Sequence, residues 1–326
     1  MDEFACIDRF FHSIPHDRTD VILGIGDDAA CLAIPADQHL LVSCDTLVAG
    51  VHFLAVWDPG DIAFKAVMAN ISDIVAMGGE PCWITLSLTL PSLDENWLTR
   101  FSSGLRAALH KYNVALIGGD TTRGPLSITM TIHGFTDKNH AVKRSGAQVG
   151  DLVYVTGPLG AAALALKYVD SRIDAADHAV LMQHLHRPIP RVDLKYLLRA
   201  YAGSAIDISD GLLSDLQHVC TASGVGAALK LDQIPVHALV RKYSPDTALN
   251  FALNGGDDYE LCLTISPAMN HAWLQEVARS GLNIYCIGLI ETLPGLCYIN
   301  AQGERHELKA RGYNHFGANG NANELA

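Results

Sequence analysis

Apolar positions Phe4, Ile7, Phe10, Phe11 and Ile14 recur at helical spacing and predict a first helix over residues 3–14. The same period runs through 61–77, a helix entered at Asp58-Pro59 and closed by Gly78-Gly79. Between and after these, runs rich in β-branched and aliphatic residues predict strands over 29–34, 39–47, 81–90, 114–117 and 126–135, with a helix over 94–112. A polar, glycine-bearing stretch follows at 137–151, and then the pattern restarts. Strands are expected over 152–156, 205–208, 227–231, 259–265 and 283–290, and helices over 159–169, 212–223 and 269–280. Arg187-Pro188-Ile189-Pro190 separates two further helices. The alternation is that of α/β or α+β layers. It divides into an N-terminal domain (1–140), a C-terminal domain (141–317) and a flexible Gly/Asn-rich tail (318–326).

Bulk properties agree with two globular domains. The chain has 326 residues, 49% hydrophobic and 18% charged, enough apolar mass for two cores. Its formal net charge of -12 argues against nucleic acid or an anionic membrane as a partner. The eight cysteines form no CxxC pair, and no apolar run approaches the roughly 20 residues of a membrane span. With no signal-peptide pattern, reduced thiols in a cytoplasmic protein are expected.

Chemistry concentrates on aspartates beside glycines, strand ends and helix starts. Asp27-Asp28 follows Gly24-Ile25-Gly26, and Asp45 ends the strand at Ser43-Cys44. Asp73 falls on the face of the 61–77 helix that carries Asn70. Asp120 follows Gly118-Gly119, Asp207 and Asp210 bracket Ile208-Ser209, and Asp257-Asp258 follows Gly255-Gly256. Mg²⁺ takes oxygen ligands, a few carboxylates plus substrate phosphates, and neighbouring glycines let backbone approach phosphate. Any one Gly-Asp pair is more often a plain turn, and Asp210 could simply cap the helix that begins near Leu212. Asp73 could instead pair with Lys65 or Asn70. Six such sites in one chain favour a shared role.

Other chemistries lack their motifs. There is no GxxxxGK[ST], no GxSxG, no HExxH and no HRD…DFG set. His184-Leu185-His186 does not place two imidazoles on one helix face, which argues against zinc.

Seven segments together resemble the thiamine-monophosphate kinase family. They are Gly24–Asp28, Asp45–Phe53, Asn70–Gly78, Ile117–Gly124, Ile206–Leu212, Gly255–Leu261 and the terminal Gly312-Tyr313-Asn314-His315-Phe316, in the family's order. The resemblance implies an aminoimidazole ribonucleotide synthetase-like fold whose N-terminal domain forms a homodimer. It implies direct transfer of the γ-phosphoryl of ATP to thiamine monophosphate with several Mg²⁺ ions, the last step of thiamine diphosphate formation. On that resemblance Asp28, Ser43, Cys44, Asp45, Asp73, Asp120, Asp207 and Asp210 fall on Mg²⁺ positions. Gly119, Asp120, Arg144, Ser209 and Tyr112 fall on nucleotide positions. His52, Asp257 and Tyr313 fall on those of thiamine phosphate. Cys44 replaces a usual Thr, Asp257 a usual Glu and Asn314 a usual Asp.

No general base is expected, since a phosphate acceptor is already ionised at neutral pH. The metal cluster and Arg144 are expected to carry the catalysis. Rival readings are a related ATP-dependent synthetase of the same fold, a non-catalytic nucleotide-binding module and, more weakly, a metal-dependent phosphatase.

Overall fold

The computed structural model describes residues 2–169, 173–300 and 302–310. Two compact units emerge: one from residues 2–75 and 79–139, the other from 76–78 and the described residues beyond 139.

The first helix is shorter than its apolar spacing predicts. α1 (Glu3–Ile7) gives way to a π-helical segment, Asp8–His12. The wider π turn lets two consecutive aromatics, Phe10 and Phe11, both turn inward and become buried. A small ribbon follows, β1 (Val21–Leu23) against β2 (Cys31–Leu32). Then come β3 (Gln38–Val48), α2 (Pro59–Ala76), β4 (Glu80–Leu90), α3 (Glu95–Tyr112), β5 (Ala115–Arg123) and β6 (Ser127–Asp137).

The four longer strands form one sheet in the order β3-β6-β4-β5. β4 and β5 run parallel, as the intervening helix α3 requires, and the other pairs are antiparallel. Asp58 starts α2 by accepting the Gly60 N–H at 2.7 Å, with Pro59 in the first turn. Asp94 starts α3 by accepting the N–H groups of Asn96 and Trp97 at 2.8 and 3.1 Å. α2 is buried almost throughout, including Ile62, Val67, Ile71 and Ile74. On β3 the alternation is clear: Leu41 and Leu47 point into the core, while Leu40 and Val42 are 39% and 57% exposed on the other face.

The second unit comprises β7 (Leu152–Val155), α4 (Ala161–Lys167), α5 (Ala175–His186), α6 (Lys195–Tyr201), β8 (Ala202–Asp207), α7 (Leu212–Ser223) and β9 (Gly226–Leu229). It continues through α8 (Ala238–Tyr243), α9 (Ala248–Asn254), β10 (Leu261–Ile265), α10 (Pro267–Arg279), β11 (Tyr285–Glu291), β12 (Gly295–Ile299) and β13 (Arg305–Leu308). Its seven strands order as β13-β12-β9-β11-β7-β10-β8, with only β12 and β9 parallel. The core joins Val153, Val155, Ile206, Leu216, Val219, Cys262 and Ile287 from strands and α7. All eight cysteines are free thiols, five of them buried. Among the described residues, no helix is long and apolar enough to cross a membrane.

The sequence pattern missed β1, α8, α9, β12 and β13. The two helices are six and seven residues long, too short for a 3.6-residue period to declare itself. His237 starts α8 by accepting the Leu239 N–H on Nδ1 at 3.3 Å. Its ring meets that of His184 edge-on, 4.8 Å between centroids. Burial depresses both imidazoles, and the His184 neighbour adds to the effect at His237, which falls to about 4. Above the ordinary value of 6.5 both rings are neutral and the fold loses nothing. As pH falls from there towards 4, the unfolded chain takes up protons that the folded one refuses, and stability is lost. Thermal unfolding followed by circular dichroism should show Tm falling across this window, and less steeply in His237→Asn, which keeps a helix cap but does not titrate.

Candidate active site

In the first unit, Ser43 and Asp45 share the core-side face of β3 with Leu41 and Leu47, the face covered by α2. The Ser43 hydroxyl donates to Asp73 Oδ2 on α2 at 2.5 Å. Strand and helix thus bring together three of the oxygen-bearing residues that the sequence singles out. Cys44, between Ser43 and Asp45, is exposed on the opposite face, opposite Thr131, so its sulfur points away from this group. Asn70 is buried and donates to the Ala66 carbonyl at 2.9 Å, an intrahelical use of its amide.

Asp28 sits in an exposed bend just after Gly26, whose φ is +123°. Its N–H donates to Asp27 Oδ1 at 2.8 Å. His52 accepts the Val48 N–H on Nδ1 at 3.0 Å. That fixes the neutral tautomer with its proton on Nε2, so the outer nitrogen is a donor suited to phosphate oxygen. Tyr112 is the last residue of α3, with the Lys111 ammonium 5.2 Å from its ring centroid.

Asp120 corrects a sequence expectation. The apolar pattern ends the strand at Ile117, yet β5 continues through Gly118, Gly119 and Asp120 to Arg123. Gly119 permits this: its φ is +152°, and a Cβ there would lie 1.9 Å from the Leu86 carbonyl oxygen. Across the sheet Asp120 registers with Ser87, Thr129 and Thr46, whereas Asp45 registers with Met130, Leu86 and Gly119. Registered residues share a face, so Asp45 and Asp120 point to opposite sides. Three strand spacings, about 14 Å, separate them. Within one chain, no single ion can take both.

In the second unit, Asp207 ends β8 and is buried, and Ser209 and Asp210 lie in the turn into α7. Asp210 is not the cap of that helix. The cap position is Gly211, and the stabilising carboxylate is Asp215 in the first turn. Asp215 Oδ2 accepts the N–H groups of Ser209, Asp210 and Gly211, each at 3.1 Å. Burial, and then the charges of Asp207 and Asp210, push the Asp215 carboxyl up to about 8.

The 255–260 segment is pinned to this turn. Asp257 N–H donates to the Ser209 carbonyl at 2.9 Å, Tyr259 N–H to that of Ile208 at 2.9 Å, and Ile208 N–H to that of Glu260 at 2.7 Å. A Cβ on Gly256 would meet the Ser209 carbonyl at 2.3 Å, so only glycine permits the approach. Two carboxylates anchor the segment from behind. Asp258 accepts the Gly160 N–H through both oxygens, at 3.0 and 2.9 Å, and its burial raises its carboxyl well above the usual range. Glu260 Oε2 accepts from Thr156 Oγ1 at 2.5 Å and from Arg191 Nη1 at 2.8 Å. Arg144 lies in a loop tied down by Ser223, whose hydroxyl donates to the Arg144 carbonyl at 3.2 Å. Tyr313 and Asn314 lie outside the described residues.

Sequence reasoning missed Asp215, Glu260, Arg191 and Ser223. Only Asp215 carried a signal, a carboxylate in the first turn of a helix that follows glycine.

The residues suit Mg²⁺ by the chemistry of their donors, hard carboxylate and hydroxyl oxygens. Asp207 and Asp210 place negative charge beside the buried Asp215 carboxyl, a setting that suits a cation. Among the described residues, no three His, Cys, Asp or Glu side chains gather closely enough to hold a metal alone.

Residues 26–136 match the family of AIR synthase related protein, N-terminal domain, and residues 148–295 match the corresponding C-terminal domain. The chain is 48% identical over 320 residues to the thiamine-monophosphate kinase of Escherichia coli K12, covering 96% of this chain and 98% of that one. It superposes on a crystal structure of thiamine-monophosphate kinase from Stenotrophomonas maltophilia K279a with a TM-score of 0.84, at 41% identity and 94% and 98% coverage. A structure of AaThiL complexed with AMPPCP and TMP aligns with a TM-score of 0.77, at 31% identity and 90% and 92% coverage.

Proposed function

This chain belongs to the thiamine-monophosphate kinase family, and we propose that its carboxylate-bearing segments carry the ATP-dependent phosphorylation of thiamine monophosphate to thiamine diphosphate. The observation that supports this most is the placing of Asp207 and Asp210 beside the buried Asp215, whose carboxyl already takes up the N–H groups of the turn.

Asp28, Ser43, Asp45 and Asp73 in the N-terminal unit, and Asp207 and Asp210 in the C-terminal unit, would hold Mg²⁺; Cys44 would serve only through its backbone. Asp120 would hold a separate ion within the chain, beside Gly119. Bound Mg²⁺ supplies neutralisation of phosphate charge at these positions. Gly119, Ser209 and Tyr112 position the nucleotide, and the Arg144 guanidinium pairs with phosphate oxygens. His52 donates from Nε2 to the phosphate of thiamine monophosphate, while Asp257 faces its cationic thiazolium. The acceptor oxygen is ionised at neutral pH, so these groups need only align it with the γ-phosphorus.

A homodimer formed by the N-terminal unit fits the exposed Leu40 and Val42 on the open face of edge strand β3. Eight free thiols fit a cytoplasmic setting.

Purified protein with ATP and Mg²⁺ should form ADP only when thiamine monophosphate is added, with thiamine diphosphate appearing in equal amount by chromatography. ADP and free phosphate forming alike without the acceptor would overturn the kinase reading in favour of a phosphatase.

A further inference from the structure

We propose that Tyr259 is a positioning residue for the acceptor substrate, its hydroxyl holding the Asp257 carboxylate so that this carboxylate meets a cationic heteroaromatic ring and discriminates against a neutral one. The inference rests on Asp257 facing the substrate.

The Tyr259 hydroxyl donates to Asp257 Oδ1 at 3.0 Å. Both residues hold left-handed backbone, φ +65° at Asp257 and +51° at Tyr259. A bulky side chain in that region is an outlier, kept only where the surroundings over-determine it. Here they do. Backbone hydrogen bonds clamp residues 257 and 259 to Ser209 and Ile208, and Ile208 to Glu260. Asp258 and Glu260 fasten the segment from the other side, to Gly160 and to Thr156 and Arg191. The loop therefore has its anchors without the Tyr259 hydroxyl.

What that hydroxyl adds is the aim of one carboxylate. Tyr259 is buried, 6% exposed, whereas Asp257 is only partly buried. One carboxylate oxygen is engaged by a neutral donor from a fixed direction, which orients the other without cancelling the charge. A short Asp side chain has little reach with which to correct a poor angle. Orientation from outside matters correspondingly more.

The test compares thiamine monophosphate with a phosphorylated analogue whose thiazolium is replaced by a neutral thiophene ring. In Tyr259→Phe, KM for thiamine monophosphate should rise about tenfold, the effect of one hydrogen bond to a charged group. KM for ATP should stay within about twofold, and KM for the neutral analogue should barely move. Asp257→Asn should raise KM for thiamine monophosphate at least as much, and the double variant should be no worse than Asp257→Asn alone. An unchanged KM in Asp257→Asn would remove Asp257 from the substrate and the proposal with it. A raised KM in Asp257→Asn beside an unchanged one in Tyr259→Phe would overturn the proposal alone. A purely structural Tyr259 would instead weaken both acceptors equally and lower Tm. Should Tyr259→Phe fail to fold, 3-fluorotyrosine at 259 keeps ring and donor. It should change KM for the cationic acceptor only, and equal changes for both acceptors would overturn the proposal.

Discussion

Asp73→Asn should lower kcat by about 10³-fold or more while leaving the fold intact, a loss on the scale of removing one preorganised electrostatic group from a transition state. The side chain accepts the Ser43 hydroxyl at 2.5 Å, and an asparagine oxygen can accept that same bond. The helix around it is buried and apolar, so its stability comes from Ile71, Ile74 and Val75 and not from the carboxylate. What the amide cannot replace is negative charge opposite Asp45 and Ser43. Steady-state kinetics alongside a thermal melt checks both halves of the expectation. Wild-type turnover in Asp73→Asn would remove Asp73 from the metal positions.

Asp215 should give the sharpest contrast between two substitutions at one position. Asp215→Ala leaves three backbone N–H groups, those of Ser209, Asp210 and Gly211, without the oxygen they converge on. Stranding them should cost about 3 kcal/mol or more in stability and collapse activity, because the turn that carries Asp207, Ser209 and Asp210 loses its template. Asp215→Asn keeps one oxygen in place. It should retain most of the stability and a large share of kcat. Denaturant melts of the two variants separate them directly, and equal losses would show that the oxygen retained by asparagine is not enough to hold the turn.

Much of this arrangement could be read before any fold was known, because long periodic segments declare themselves. The predicted helix over 212–223 coincides with α7, Leu212–Ser223, and the predicted strand over 81–90 falls one residue short of β4. What failed was local and physical. The π-helical segment at Asp8–His12 breaks a regular helical period to bury two adjacent aromatics. β5 runs past Ile117 because Gly119 can approach Leu86 where any other residue would collide, and polarity alone suggested a loop.

The site was legible as a set of aspartates and illegible as a geometry. That Asp45 and Asp120 face opposite sides of a sheet follows from register across three strand pairs, which no single segment encodes. The carboxylates that brace these segments, Asp215, Asp258 and Glu260, look in sequence like those proposed to bind metal and substrate. Only their partners distinguish them: backbone N–H groups for Asp215 and Asp258, and Thr156 with Arg191 for Glu260.

The proposed reaction is direct transfer between two bound phosphates, carried by positioning and charge and without a phosphorylated side chain. ATP made stereospecifically chiral at its γ-phosphorus, as a thiophosphoryl isotopomer, tests it in one measurement on the thiamine diphosphate formed. Inversion at phosphorus is expected, the outcome of a single in-line displacement. Retention would require two displacements through a phosphoenzyme and would contradict it.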